Sequence, residues 1–152
     1  TSRLHIEAAL GLALVTQTWR LVLDQWPKAA TVELPLRPVQ AVESVRVQTA
    51  TGVVATLPSD AYEVDGLGAP PRLVPVNTGW PAPARKVGGI EIELRAGFGD
   101  QASDVPEPVR QAILMLVAHW YEHRDPVEIG APATRVPAAI GELLLPYKKV
   151  RL

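Results

Sequence analysis

Between Asp104 and Arg124 the apolar side chains Val109, Ala112, Ile113, Leu116, Val117, Trp120 and Tyr121 recur at three- and four-residue steps. That spacing gathers them on one side of an α-helix, and Leu114, Met115 and Ala118 widen the stripe toward an all-round apolar surface. Such a helix is expected to be covered on more than one side, with Val109, Ile113, Leu116, Val117, Trp120 and Tyr121 as its core. At ~1.5–3 kcal/mol for each large apolar side chain fully buried, it offers more burial than any other segment. Asp104, with Glu107 three residues on, has the form of a capping box, and Pro106 and Pro108 fit a first turn where a missing N–H costs little. His123 and Arg124 suit the negative end of the helix dipole, and Asp125-Pro126 stops the helix.

Elsewhere the period is shorter. Ser2 to Leu10 reads as a helix ended by Gly11, but from Thr16 to Asp24 the chain alternates, with Gln17, Trp19, Leu21 and Leu23 pointing one way. Further strands are predicted over residues 31–34, 42–49, 53–57, 62–64, 72–74 and 90–95, with a hairpin turning at Ala50-Thr51-Gly52. They suggest one twisted antiparallel sheet or a small barrel-like lobe. Residues 127–137 read as a loop, and residues 138–145 as a short helix with Ile140, Leu143 and Leu144 on one side, ended by Pro146. The predicted class is α+β: a helical lobe built on one long central helix, with an inserted antiparallel β-sheet lobe. Residues 1–15 would be the N-terminal helix of the helical lobe, and 16–99 the β lobe. Residues 100–152 would hold the central helix, a short C-terminal helix and a basic tail.

A chain of 152 residues fits one domain with two lobes. Its 15 prolines imply many short turns. With no cysteine, the chain has no disulfide framework and no thiolate nucleophile or metal ligand, which is compatible with assembly in a reducing cytoplasm. A formal net charge of -1 argues against a broad basic surface that would grip nucleic acid. No apolar run approaches the ~20 residues of a membrane-spanning helix, so no membrane partner is expected. Thr1 falls inside what reads as a helix, so some sequence is expected to precede it.

Candidate chemistry is sparse. His119 and His123 are four apart on a helix with Glu122 beside them, so a small metal-dependent enzyme using His119, Glu122 and His123 is one reading. The zinc helix needs Glu directly after the first His, and Trp120 stands there; a polar helix edge is the favoured reading. Gly97-Phe98-Gly99-Asp100 lacks the further glycine and the lysine of a phosphate loop, and none of Ser2, Ser44, Ser59 and Ser103 lies in a nucleophile elbow. Asp60, Glu63 and Asp65 lack calcium-loop spacing. No catalytic, cofactor-binding or metal residue is therefore assigned, and no cofactor is expected. Trp80, on a Gly/Pro loop, either folds back on the sheet or anchors a neighbouring subunit or partner. In the second case the chain could be a stand-alone binding module acting through its β lobe. Lys148, Lys149 and Arg151 are either a solvated terminus or a partner contact.

Five segments in order carry a resemblance: residues 14–24, 32–45, 91–100 (Glu-Ile-Glu-Leu-Arg-Ala-Gly-Phe-Gly-Asp), 105–122 and Leu144-Leu-Pro-Tyr147. Together, over almost the whole chain, they resemble the head-tail connector (adaptor) proteins of tailed bacteriophages and phage-derived gene-transfer agents. The resemblance implies a non-enzymatic structural protein of the particle neck, assembled in the bacterial cytoplasm. It would form a homo-oligomeric ring, usually a dodecamer, between the portal protein and the tail stopper, with DNA passing through the lumen. It also implies that helices build the ring and that the C-terminal segment, with Tyr147, Lys148, Lys149 and Arg151, contacts the portal. A near-neutral chain suits a conduit through which DNA slides without sticking. A head-to-tail ring needs two different complementary surfaces, which a helical and a strand-rich lobe can supply.

Overall fold

The alternating stretches become seven strands: β1 (Gln17–Leu23), β2 (Val32–Glu33), β3 (Val39–Gln48), β4 (Val54–Thr56), β5 (Tyr62–Asp65), β6 (Arg72–Pro75) and β7 (Ile90–Ala96). The helices are α1 (Ser2–Leu10), α2 (Glu107–Glu122) and α3 (Ala138–Leu143). These elements belong to a computed structural model that describes residues 2–49, 52–66, 68–76, 79–122 and 137–148.

All strand pairs are antiparallel, and where a single sheet or a small barrel-like lobe was expected they form two sheets: β1-β7-β3-β4 and β2-β6-β5. The inner side of the larger sheet carries Val45, Val47, Ile90, Ile92, Leu94 and Ala96, all essentially without solvent contact. All of these except Val47 belong to one core with Val32, Leu34 and Leu73 of the smaller sheet's side. Alternation puts Arg46, Glu91, Glu93 and Arg95 on the outer face, where Arg46 pairs with Glu91 and Glu93 and Arg95 with Glu43. β3 starts three residues before the predicted strand because register shifts at Val39/Ala41 and Val42/Ser44 break its period of two.

A second core lies under the helices: Ile6, Leu10, Leu12, Leu14, Val109, Ala112, Leu116, Ile140 and Leu144, with Val105 at its edge. The link from α1 to β1 lies on both cores. Leu12 and Leu14 enter the helical one and Ala13 the sheet one, as an extended backbone requires. Glu7 fastens this link. Its buried carboxylate accepts hydrogen bonds from the Leu14 N–H at 2.9 Å, from Gln17 Nε2 at 3.2 Å and from Arg3 Nε at 3.2 Å. Gly97, at φ 142°, runs so close to the same link that an added Cβ would sit 2.5 Å from the Thr16 nitrogen.

Helix α2 corrects two expectations. Its buried residues are Val109, Ala112, Leu116 and His119, with Ile113 and Trp120 partly buried. Val117 and Tyr121, expected in the core, are 48% and 65% exposed, and Leu114 is 63% exposed. The helix packs against α1 and α3. The second correction concerns the start. Asp104 caps a 3-10 turn, Ala102–Asp104, by accepting from the Gln101 N–H at 2.9 Å, so it lies outside α2. Pro106 supplies the carbonyl that receives the N–H groups of Val109 and Arg110, and Glu107 pairs with Arg110 instead of reaching back. At the other end, α3 is followed by a 3-10 turn, Leu145–Tyr147, with Pro146 inside it. The predicted positions of His123, Arg124 and the 127–136 loop lie outside the described residues.

Candidate functional site

Of the three residues that could have made a metal centre, His119 and Glu122 are described. His119 is buried, at 9% exposure, so it is not on an exposed polar helix edge, while Glu122 is exposed and His123 lies outside the described residues. Among the described residues no three His, Asp or Glu side chains are grouped as metal ligands. The Gly97–Asp100 stretch is the turn between β7 and the 3-10 turn before α2, and its backbone is spent on the α1–β1 link: Phe98 N–H donates to the Leu14 carbonyl, and the Gly99 carbonyl accepts from Thr16. Asp65, one of the acidic residues near the β5 strand, pairs with Arg72 at 2.7 Å and caps the Gly68 N–H.

Trp80 folds back on the sheet. Its ring stacks on Trp26, with centroids 4.2 Å apart and planes at 10°. Each indole N–H donates to a carbonyl near the other ring, Trp80 to Ala30 and Trp26 to Pro81 at 2.8 Å. This clasp closes the 79–89 loop over the β core, and it leaves Trp80 only partly exposed.

The C-terminal turn is held from below. Tyr147 packs on the helical core while its carbonyl accepts from Arg37, whose own backbone bonds to Gly11 and Ala13. A cleft of about 200 Å³ lies beside this turn, lined by Leu12, Arg37, Pro38, Phe98, Pro146 and Tyr147 among others. Lys148 is exposed; Lys149 and Arg151 lie outside the described residues.

The surface that sequence reasoning misplaced is the exposed flank of α2. Leu114, Val117 and Tyr121, at steps of three and four, form a stripe facing away from the buried Val109, Ala112 and Leu116. The periodicity contained the signal: too many apolar positions for one buried face. What periodicity cannot do is tell a flank covered by the same chain from one covered by another.

No family model and no curated protein matches the chain. Solved structures do. One match is to a chain of the virion of a native gene transfer agent particle, with a TM-score of 0.82 and 28% identity, covering 99% of this chain and 74% of that one. Another is to a chain in the neck of an empty gene transfer agent particle with C6 symmetry, with a TM-score of 0.81 and 28% identity over 99% of this chain and 75% of the other. A third is to a chain in the neck of the native particle with C12 symmetry, again with a TM-score of 0.81 and 28% identity, covering 99% and 79% of the two chains. Over nearly its whole length the chain is thus similar to structural components of the neck of a phage-like particle.

Proposed function

We propose that this chain is a head-tail adaptor: a subunit that forms a ring in the neck of a phage-like particle, between the portal and the tail stopper, with DNA passing through the lumen. One observation carries the reading. In a chain similar to components of a C12-symmetric neck, the longest described helix holds the apolar side chains Leu114 and Val117 at 63% and 48% exposure. Large contiguous apolar patches on soluble chains mark contact surfaces, and a ring of identical subunits supplies a neighbour for every copy.

The portal contact belongs to the C-terminal segment with Tyr147, Lys148, Lys149 and Arg151. Tyr147 is anchored through its carbonyl and ring beside the exposed Lys148, and the cations of this segment meet an acidic portal surface. The test is to mix the full chain with portal rings of the same particle and image the product. The expected result is portal with a coaxial adaptor ring, lost when Lys148, Lys149 and Arg151 are all changed to Glu. A protein that stays monomeric with and without portal would overturn the adaptor reading, and undiminished docking of the charge-reversed variant would remove the C-terminal contact.

A further inference from the structure

Resting on the adaptor reading, we infer that the exposed flank of α2 in one copy docks on the far end of the four-stranded sheet of the next copy. A ring with rotational symmetry is held by heterologous contacts, so each subunit must carry two different patches that fit one another. The first patch is formed by Leu114 and Val117, 63% and 48% exposed. The second is on the outer face of the larger sheet. Val22 and Val54 both point outward there, opposite Glu91 and Gln48 in register, and are 50% and 56% exposed. Val53 and Val87 stand exposed beside them. Between the valines lies a depression of about 140 Å³ whose lining includes Gly88 and Gly89, which present no side chains. Gly88 runs against Val22: a Cβ placed on it would lie 3.5 Å from Val22 Cγ1.

The two patches are well separated on the molecule. The helical core takes in Leu14 before β1 and Phe98 after β7, so it adjoins the end of the sheet where β1 begins and β7 finishes. Val22, Gly88 and Val54 are at the opposite end, about 20 Å away along a seven-residue strand. Separate, differently shaped patches are what a head-to-tail contact requires.

Charge and symmetry distinguish this pairing from a contact of α2 with α2. Arg85 and Lys86 flank the depression, exposed and without an ion pair to any described residue, and Arg46 in its lining has a buried Nε without an acceptor. Elsewhere on that face Arg95 is paired with Glu43, and Arg46 also pairs with Glu91 and Glu93 through its Nη2, while Arg20 is exposed. On α2, Glu122 directly follows Tyr121, is exposed, and makes no ion pair with a described residue. An α2 flank laid on the sheet end brings this carboxylate to the cations. An α2 flank laid on another α2 flank is a self-complementary contact that stops at a dimer and cannot close a larger ring.

The chain has no cysteine, so engineered pairs report cleanly. The full-length variant Val54→Cys/Val117→Cys is assembled on portal rings and treated with a short bis-maleimide. Denaturing gels are expected to show a ladder of dimers, trimers and higher multimers, whereas Val54→Cys or Val117→Cys alone gives only monomer. Rings visible in micrographs without a ladder overturn the pairing and leave the adaptor reading intact. Dimers from Val117→Cys alone also overturn it, because they show α2 meeting α2. Absence of rings for the unmodified chain with portal overturns the adaptor reading and this inference together.

Discussion

Glu7 shows how one side chain links distant parts of the sequence. Its two oxygens hold Arg3, Leu14 and Gln17, so a carboxylate on α1 fixes the start of β1. Replacing it with Ala leaves the buried Leu14 N–H without its acceptor, a loss of about 1–3 kcal/mol. Glu7→Gln keeps an oxygen for Leu14 and is expected to lose less. Urea titrations check both, with a lower midpoint at unchanged slope as the expected outcome. Tyr62 makes a different statement. Burial pushes its phenol above the ordinary value of 10.0, because the ionised form loses hydration. The folded pKa is raised, so stability is unaffected below the unfolded value and falls as pH rises through the folded one. Tyr62→Phe is expected to abolish that alkaline loss while leaving neutral stability nearly unchanged. Thermal melts of both proteins from pH 8 to 11 measure it.

At the scale of the element, α2 has two flanks with opposite consequences. Leu116 is buried in the helical core, and Leu116→Ala is expected to destabilise the subunit by about 2–5 kcal/mol. Leu114→Ser with Val117→Ser touches only exposed positions, so subunit stability should shift by no more than about 0.5 kcal/mol while ring assembly is lost. Denaturant melts and sedimentation on the same samples separate the two effects. The strands were legible because inner and outer positions alternate, as Ile90, Ile92 and Leu94 do against Glu91, Glu93 and Arg95. The partition into two sheets was not, because residues 32–33 and 72–75 leave no mark of which strands they pair with. Asp104 misled for a local reason: a 3-10 turn intervenes, and its side chain serves Gln101. Of the surfaces, the C-terminal cations could be named from sequence. The sheet-end patch could not, because Val22, Val54 and Val87 are brought to one place only by the pairing of β1, β7, β3 and β4.

For the whole molecule, the question is whether two cores make two folding units. The link over residues 11–16 argues for one. Leu12 and Leu14 on one side and Ala13 on the other cannot leave their cores independently, since a strand inverts its faces at each residue. Arg37 adds a second tie, from the loop before β3 to the Tyr147 carbonyl at the far end of the chain. A subunit of the proposed ring would benefit from such rigidity, because an opening between lobes would change the spacing of the two proposed contact patches. The stacked Trp26–Trp80 pair lies wholly in the β lobe, and its exciton-coupled circular dichroism reports that lobe alone. Helical ellipticity reports chiefly α2, the longest described helix, at the other end. In the Leu116→Ala variant, at roughly 2–4 °C per kcal/mol for a chain of this size, both signals are expected to melt together, shifted down by the same several degrees. If the helical signal moved and the tryptophan couplet kept its original midpoint, the link would be a tether and not a joint. The distance between α2 and the valine end of the sheet would then have to be set by the assembled ring instead of by the subunit.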